Sequence, residues 1–303
     1  IHPGEPDGLD AGFILFRDIA INKSSALDLL QNVSIVFLPV INPDGLNRFG
    51  KYNRINQNGP IEAGWRTNSQ NLNLNRDFIK AQSPEMKQFH MLTSRWKPDF
   101  YIDCHTTNGA DYQYVVTYSI ETGLATDSNI SDWNKNVYLP KILNKMENEG
   151  FPMFEYVSFK TWHDHTQPLQ TYSSSPIVSN GYFAALNRPG LLLETHMLKP
   201  YHQRVDATLK VIVNTLKIMN SNSTSLKNAV FSADEFTKSK YFRNQNFPIQ
   251  FVLSEKIDSV DFLGYEYEIE ISSLTGSRIF KYNQSKPIVK KLPRQTEHLV
   301  ANS

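Results

Sequence analysis

Cysteine is nearly absent from this chain: Cys104 is its only one, which excludes an internal disulfide and any cysteine-based zinc ribbon. Charge of either sign in excess is missing too. Thirty-one Lys and Arg stand against 30 Asp and Glu, a net charge of +1 with His neutral, so no global field points to nucleic acid or to a membrane surface. No apolar run approaches membrane-spanning length, and no internal repeat is present. What remains is 40% hydrophobic and 20% charged over 303 residues, the composition of a soluble globular protein with a sizeable core in one large or two ordinary domains.

Chemistry-bearing residues fall at the ends of apolar stretches. The chain opens Ile1-His2-Pro3-Gly4-Glu5, where Pro3 and Gly4 argue for a tight bend rather than a helix. His2 and Glu5 can therefore point at one metal ion, and zinc accepts both imidazole nitrogen and carboxylate oxygen. Alone, His-x-x-Glu is a weak signal. Residues 33–41 read as a buried strand ending in the turn Asn42-Pro43-Asp44-Gly45. Residues 46–70 form a polar loop of a length that compact domains keep for function; it carries Arg48, Arg54 and Arg66 and is followed by Asn75-Arg76. A strand over residues 99–104 delivers His105 at its carboxyl end, and Leu191-Leu192-Leu193 delivers Glu194, where α/β sheets place their ligands.

Between these lie expected helices at residues 10–20, 24–31, 84–96, 132–149 and 202–219, the third opened by Ser83-Pro84 as N-cap and first helical residue. Residues 112–118 alternate like a strand. Residues 160–179 are irregular and hold Trp162, His163, His165 and Tyr172, with the two histidines read as surface or hydrogen-bonding groups rather than a second metal site. The polar run 220–225 reads as a linker, followed by short β-like runs at 249–253, 259–263, 265–272, 277–282 and 287–289. Cys104 reads as a buried, inert thiol.

The ordered set His2-x-x-Glu5, Asn42-Pro43-Asp44-Gly45, Arg66, Asn75-Arg76, His105 and Glu194 resembles the zinc carboxypeptidases, the M14 metallopeptidases, over about residues 1–220. Phrases at 54–60, 64–67 and 194–199 look like a bacterial branch. The resemblance implies a mixed, mainly parallel α/β sheet with helices on both faces over residues 1–220, followed by a small β-rich domain at 226–303. It implies Zn2+ held by His2, Glu5 and His105, with Glu194 as general base and Arg66 stabilising the oxyanion. Asn75 and Arg76 would grip the free C-terminal carboxylate of a peptide. Tyr172, 22 residues before Glu194 (194 − 172), would be the tyrosine that closes over substrate, with Tyr182 as a competitor. Where many members carry an Asp that orients a zinc-binding His, this chain has Asn73. Because the family motif follows several earlier elements, and the chain opens on Ile1, the sequence reads as a fragment; the resemblance, not the start of the chain, implies an exported protein, periplasmic or extracellular. A cell-wall peptidase, an N-acyl amino acid hydrolase and a non-catalytic zinc-binding module use the same residues and stay open as alternatives.

Overall fold

The computed structural model describes residues 1–21, 28–107, 109–161, 164, 166–245 and 250–300. Its strands run β1 (Tyr101–Thr107), β2 (Val116–Ser119), β3 (Met153–Glu155), β4 (Leu169–Gln170) and β5 (Gly190–His196). Four of them make one sheet in the order β1-β5-β2-β3, with β1 parallel to β5, β5 antiparallel to β2 and β2 parallel to β3. The mixed sheet matches the expectation from the sequence.

Side-chain alternation along β1 and β5 divides the labour between the two faces. One face carries Ile102, Cys104, Leu191 and Leu193, which pack with Ile142, Met146, Ala207 and Val211 from helices α5 (Leu139–Asn148) and α7 (Tyr201–Lys238). On the other face Tyr101 stacks on Phe183 of α6 (Ser179–Ala185), ring centroids 4.1 Å apart. Asp103, His105 and Glu194 share this second face, and the register sets His105 directly beside Glu194. Helices α1 (Asp7–Ala20), α3 (Pro84–Trp96) and α4 (Ser128–Trp133) flank the sheet. Ser83 caps α3 by accepting from Met86 N at 3.2 Å, and Lys97 ends it in the left-handed conformation with φ 45°. The Asn-Pro-Asp-Gly turn is the start of a short helix, α2 (Pro43–Asn47), with the Asn42 side chain accepting from Gly45 N.

Three local expectations change. Residues 33–41 form no strand and find no ladder partners among the described residues: Phe37 packs on Phe16 and Phe13 of α1, while Val36 and Leu38 are exposed. The helix expected over 24–31 lies mostly outside the described residues; its last part is a single 3-10 turn, Asp28–Leu30. Residues 220–225 are not a linker. They lie inside α7, which runs on to Lys238 with one non-helical residue, Asn222. Buried Met219 and Leu226 bracket the run, and Ser225 Oγ accepts from the Trp133 ring, so packing outweighs weak helix propensity.

The β-like runs after residue 250 fuse into two long strands, β7 (Asp258–Ile271) and β8 (Arg278–Gln295), paired antiparallel with a register shift at Tyr265/Glu266. A smaller pair, β6 (Phe251–Leu253) with β9 (His298–Val300), follows the same end. Phe262 and Leu292 of the hairpin are buried with Tyr112, Tyr114, Phe159 and Leu169, so the hairpin shares a core with the segment before β2.

Candidate metal centre

The opening bend closes as its residues demand: Glu5 N donates to His2 O at 2.9 Å, folding the two side chains to one side. Gly4 leaves no room for a side chain, since a Cβ there would meet Arg54 at 2.8 Å and the Gly64 carbonyl at 2.9 Å. His2, Glu5 and His105 converge, all buried, with one ligand atom from each lying within 4.8 Å of the others. His2 Nδ1 is 3.2 Å from Glu5 Oε1, and His105 Nδ1 is 3.1 Å from Glu5 Oε2.

The far nitrogen of each ring is held. His105 Nε2 donates to Asp103 Oδ2 at 2.9 Å, two residues back on the same strand face. His2 Nε2 lies 2.9 Å from Asn73 Oδ1, and that oxygen also accepts from Asn75 N at 3.0 Å, which fixes the amide orientation and makes His2 Nε2 the donor. Both rings thus anchor Nε2–H away from the cluster and turn Nδ1 inward; His2 offers a lone pair there, while His105 Nδ1 donates to Glu5 Oε2 at 3.1 Å and would give up that proton to a metal. His2 Nδ1 is buried and has no hydrogen-bond partner among the described residues, despite its closeness to Glu5. A buried acceptor without a donor, facing a carboxylate and a second imidazole, is the donor set of a zinc ion, so the residues fit the metal.

Charge is concentrated here. Burial alone would raise Glu5, but His2 and His105 hold its carboxyl well below the usual range. Burial lowers His2 more than Glu5 raises it. For His105 burial is outweighed by Asp103 and by bonds to Asp103 and Glu5, which bring it up to about 10. Glu194 is pushed up to about 8, chiefly by burial, with His105 opposing and Glu5 and Asp103 adding.

Arg66, half exposed, places Nη1 3.3 Å from Glu5 Oε1. Asn75 and Arg76 sit on the 3-10 turn Leu74–Arg76; Asn75 is buried with no partner for Oδ1 among the described residues, while Arg76 is exposed and donates to the Asn75 carbonyl. Tyr172 is 54% exposed, and its hydroxyl donates to Gln170 rather than into the cluster. Tyr182 stacks on His90 at 4.8 Å and packs, partly buried, between α3 and α6. His163 and His165 lie outside the described residues. Cys104 is partly buried, and burial with Asp103 nearby pushes its thiol up to about 12, leaving it inert.

Three participants were missed in the sequence. Asp103 had a signal, the i−2 position that shares a strand face with His105. Arg54 had none beyond its loop: it donates to Glu5 Oε1 at 2.9 Å and to the Thr106 carbonyl at 3.3 Å. Tyr156 had none either; its hydroxyl is raised to about 12, mainly by burial and then by Glu194.

This constellation defines the class. The model of the zinc carboxypeptidase family matches residues 1–204, and the chain belongs to that family. Carboxypeptidase 2 of Trichophyton rubrum is 23% identical over 167 residues, 52% of this chain and 28% of that protein. Carboxypeptidase 2 of Trichophyton tonsurans is 30% identical over 166 residues, again 52% and 28%. The aligned stretch thus spans under a third of these curated relatives. Among solved structures, the metallo-carboxypeptidase from Pseudomonas aeruginosa in complex with (2-guanidinoethylmercapto)succinic acid shares the fold at TM-score 0.51 and 14% identity, over 74% of this chain and 56% of that one. The metallo-carboxypeptidase from Burkholderia cenocepacia does so at 0.50 and 15%, over 74% and 55%.

Proposed function

We propose that the chain carries the catalytic site of a zinc-dependent metallocarboxypeptidase that removes residues from the free C-terminus of a peptide. The observation that carries this reading is the matched pair of imidazoles, each clamped at Nε2 and each presenting Nδ1 beside the Glu5 carboxylate. Zinc held by His2, Glu5 and His105 supplies Lewis acidity and an acidified water at neutral pH.

The protein's own groups divide the remaining work. Glu194, on the same face as His105, takes the proton of the attacking water and returns it to the leaving amine. Arg66 is exposed enough to leave Glu5 and stabilise the oxyanion of the tetrahedral intermediate. Asn75 and Arg76 bind the terminal carboxylate, where a planar guanidinium can form two parallel hydrogen bonds. Tyr172 swings over the bound terminus. Within the family we assign the chain to a bacterial branch, on the phrases at 54–60, 64–67 and 194–199. We infer an exported protein from the family resemblance; among the described residues no helix is long and apolar enough to cross a membrane.

The test is zinc content together with release of C-terminal residues, on the parent protein and on Glu194→Gln. Stoichiometric zinc in both, with release only in the parent, is the expected result. Zinc in both with no release in either overturns the carboxypeptidase reading, and absence of zinc from the parent overturns the metal site.

A further inference from the structure

Residues 169–173 are tied to the C-terminal strands at successive points. Leu169 and Gln170 pair in parallel with Arg294 and Gln295 at the end of β8. Thr171 N donates to the Gln295 carbonyl at 3.1 Å. Ser173 N donates to His298 Nε2 at 3.1 Å. The side chains add a relay: the Tyr172 hydroxyl donates to Gln170 Oε1, and Gln170 Nε2 donates to Gln295 Oε1 at 2.7 Å. Glu155 of β3 joins from the sheet, accepting from Thr171 Oγ1 at 3.0 Å and lying 3.5 Å from Arg294. Tyr172 itself stays half exposed, so it is held by its neighbours' backbone and by one hydroxyl contact, not by burial.

We propose that the C-terminal strands β8 and β9 are part of the substrate site: Gln295 and His298 are positioning residues that set the resting place of the Tyr172 segment. The proposal rests on the reading of Tyr172 as the group that closes over substrate. Both residues lie beyond residues 1–204 of the family match, so this support comes from outside the shared catalytic unit. Closure must break the hydroxyl contact to Gln170, while the backbone bonds from Thr171 and Ser173 keep the hinge in place. Hydrogen bonds of this kind contribute modestly one by one, but they fix a side chain whose two torsions would otherwise be free.

The experiment compares Gln295→Leu, Gln295→Glu and Tyr172→Phe, with Gln295→Leu also placed in the Tyr172→Phe background. Gln295→Leu removes the acceptor for Gln170 and so weakens the contact that closure must break; KM for a C-terminally free peptide should fall by about twofold to fivefold with kcat within about twofold. Gln295→Glu keeps the acceptor and should restore KM. In the Tyr172→Phe background Gln295→Leu should add nothing, because the hydroxyl it positions is gone. An unchanged KM in Gln295→Leu, or the full effect persisting without the Tyr172 hydroxyl, overturns the proposal. Amide exchange of residues 169–173 gives a readout independent of turnover. It should quicken about tenfold in Gln295→Leu at unchanged urea midpoint, and unchanged exchange also overturns the proposal. A parent protein that releases no terminal residue refutes the functional reading instead, and the strap is then decided by exchange alone.

Discussion

Asn73 Oδ1 receives two hydrogen bonds, one from Asn75 N at 3.0 Å and one from His2 Nε2 at 2.9 Å. The position that offers a charged carboxylate to the zinc-binding His in many zinc carboxypeptidases here offers a neutral amide oxygen. That is enough to fix the tautomer of His2, but it adds no charge to the imidazole's basicity. Asn73→Ala should therefore weaken zinc binding by about 10- to 100-fold, and Asn73→Asp should bind at least as tightly as the parent. Competition against a chromophoric chelator measures both; equal affinity in Asn73→Ala would show that the tautomer is set elsewhere.

Arg54 makes a second prediction. Its guanidinium is largely buried against Glu5 and held by Gln57 at 3.1 Å and the Thr106 carbonyl at 3.3 Å. In the metal-free protein it is a cation partnering the Glu5 carboxylate, so Arg54→Leu should cost about 1.5–3 kcal/mol. Zinc supplies positive charge at the same carboxylate, so saturating zinc should raise the Tm of the variant more than that of the parent. Melting curves with and without zinc decide this, and equal zinc-induced shifts would mean that Arg54 acts only on its loop.

How far these residues could be read from the sequence depends on the range of the interaction. His2, Glu5 and His105 announce themselves because metal ligands are chemically narrow and sit at a bend and a strand end. Asp103 follows from strand period alone. Arg54 does not, because a mostly polar loop of 25 residues (46–70) gives no local reason for one arginine to face inward rather than another. Residues 33–41 have the composition of a strand, but a ladder needs a partner and composition does not supply one. Residues 220–225 show the opposite error. Asn, Ser and Thr favour turns locally, yet α7 continues through them because Met219 and Leu226 are buried on either side. The Gln170–Gln295 contact joins residues 125 apart and has no sequence signature at all.

Asp7 and Arg204 yield a stability prediction. Arg204 is fully buried and donates through Nε to Asp7 Oδ1 at 3.1 Å, through Nη1 to the Met197 carbonyl at 2.9 Å and through Nη2 to the Gly59 carbonyl at 2.7 Å. Asp7 Oδ2 accepts from Thr195 Oγ1 at 2.8 Å and from Thr106 Oγ1. The pair thus joins the first helix, strands β1 and β5 and the loop that carries Arg54. Asp7→Asn should cost about 3–5 kcal/mol by leaving a buried cation uncompensated. Asp7→Asn combined with Arg204→Met should cost less than the sum of the two single changes. Urea titrations test both, and strict additivity would show that the two side chains act independently.

His196 sets the acid limit. It is buried at the end of β5, against the Tyr112 ring at 4.3 Å, with Nε2 donating to the Ala110 carbonyl at 2.7 Å and Nδ1 accepting from Leu198 N at 3.2 Å. Both nitrogens are satisfied in the neutral form, and a second proton would displace the Leu198 amide. Around it stand Asp111, 3.9 Å away and bonded to Lys199, then Lys199 itself and Arg204. Burial, against the pull of the Ala110 bond and Asp111, lowers His196 to about 4 from an ordinary 6.5. Between those values the unfolded chain binds a proton that the folded chain refuses, so acidification favours unfolding. The stability contributed by neutral His196 is complete above pH 6.5 and is lost as pH falls toward 4. Its contribution to the slope should reach up to about 1.4 kcal/mol per pH unit. Urea unfolding from pH 7.5 down to 4.5, on the parent and on His196→Gln, reads this directly. The parent should lose stability more steeply than the variant, and parallel profiles would mean that the imidazole takes up its proton without opening the fold.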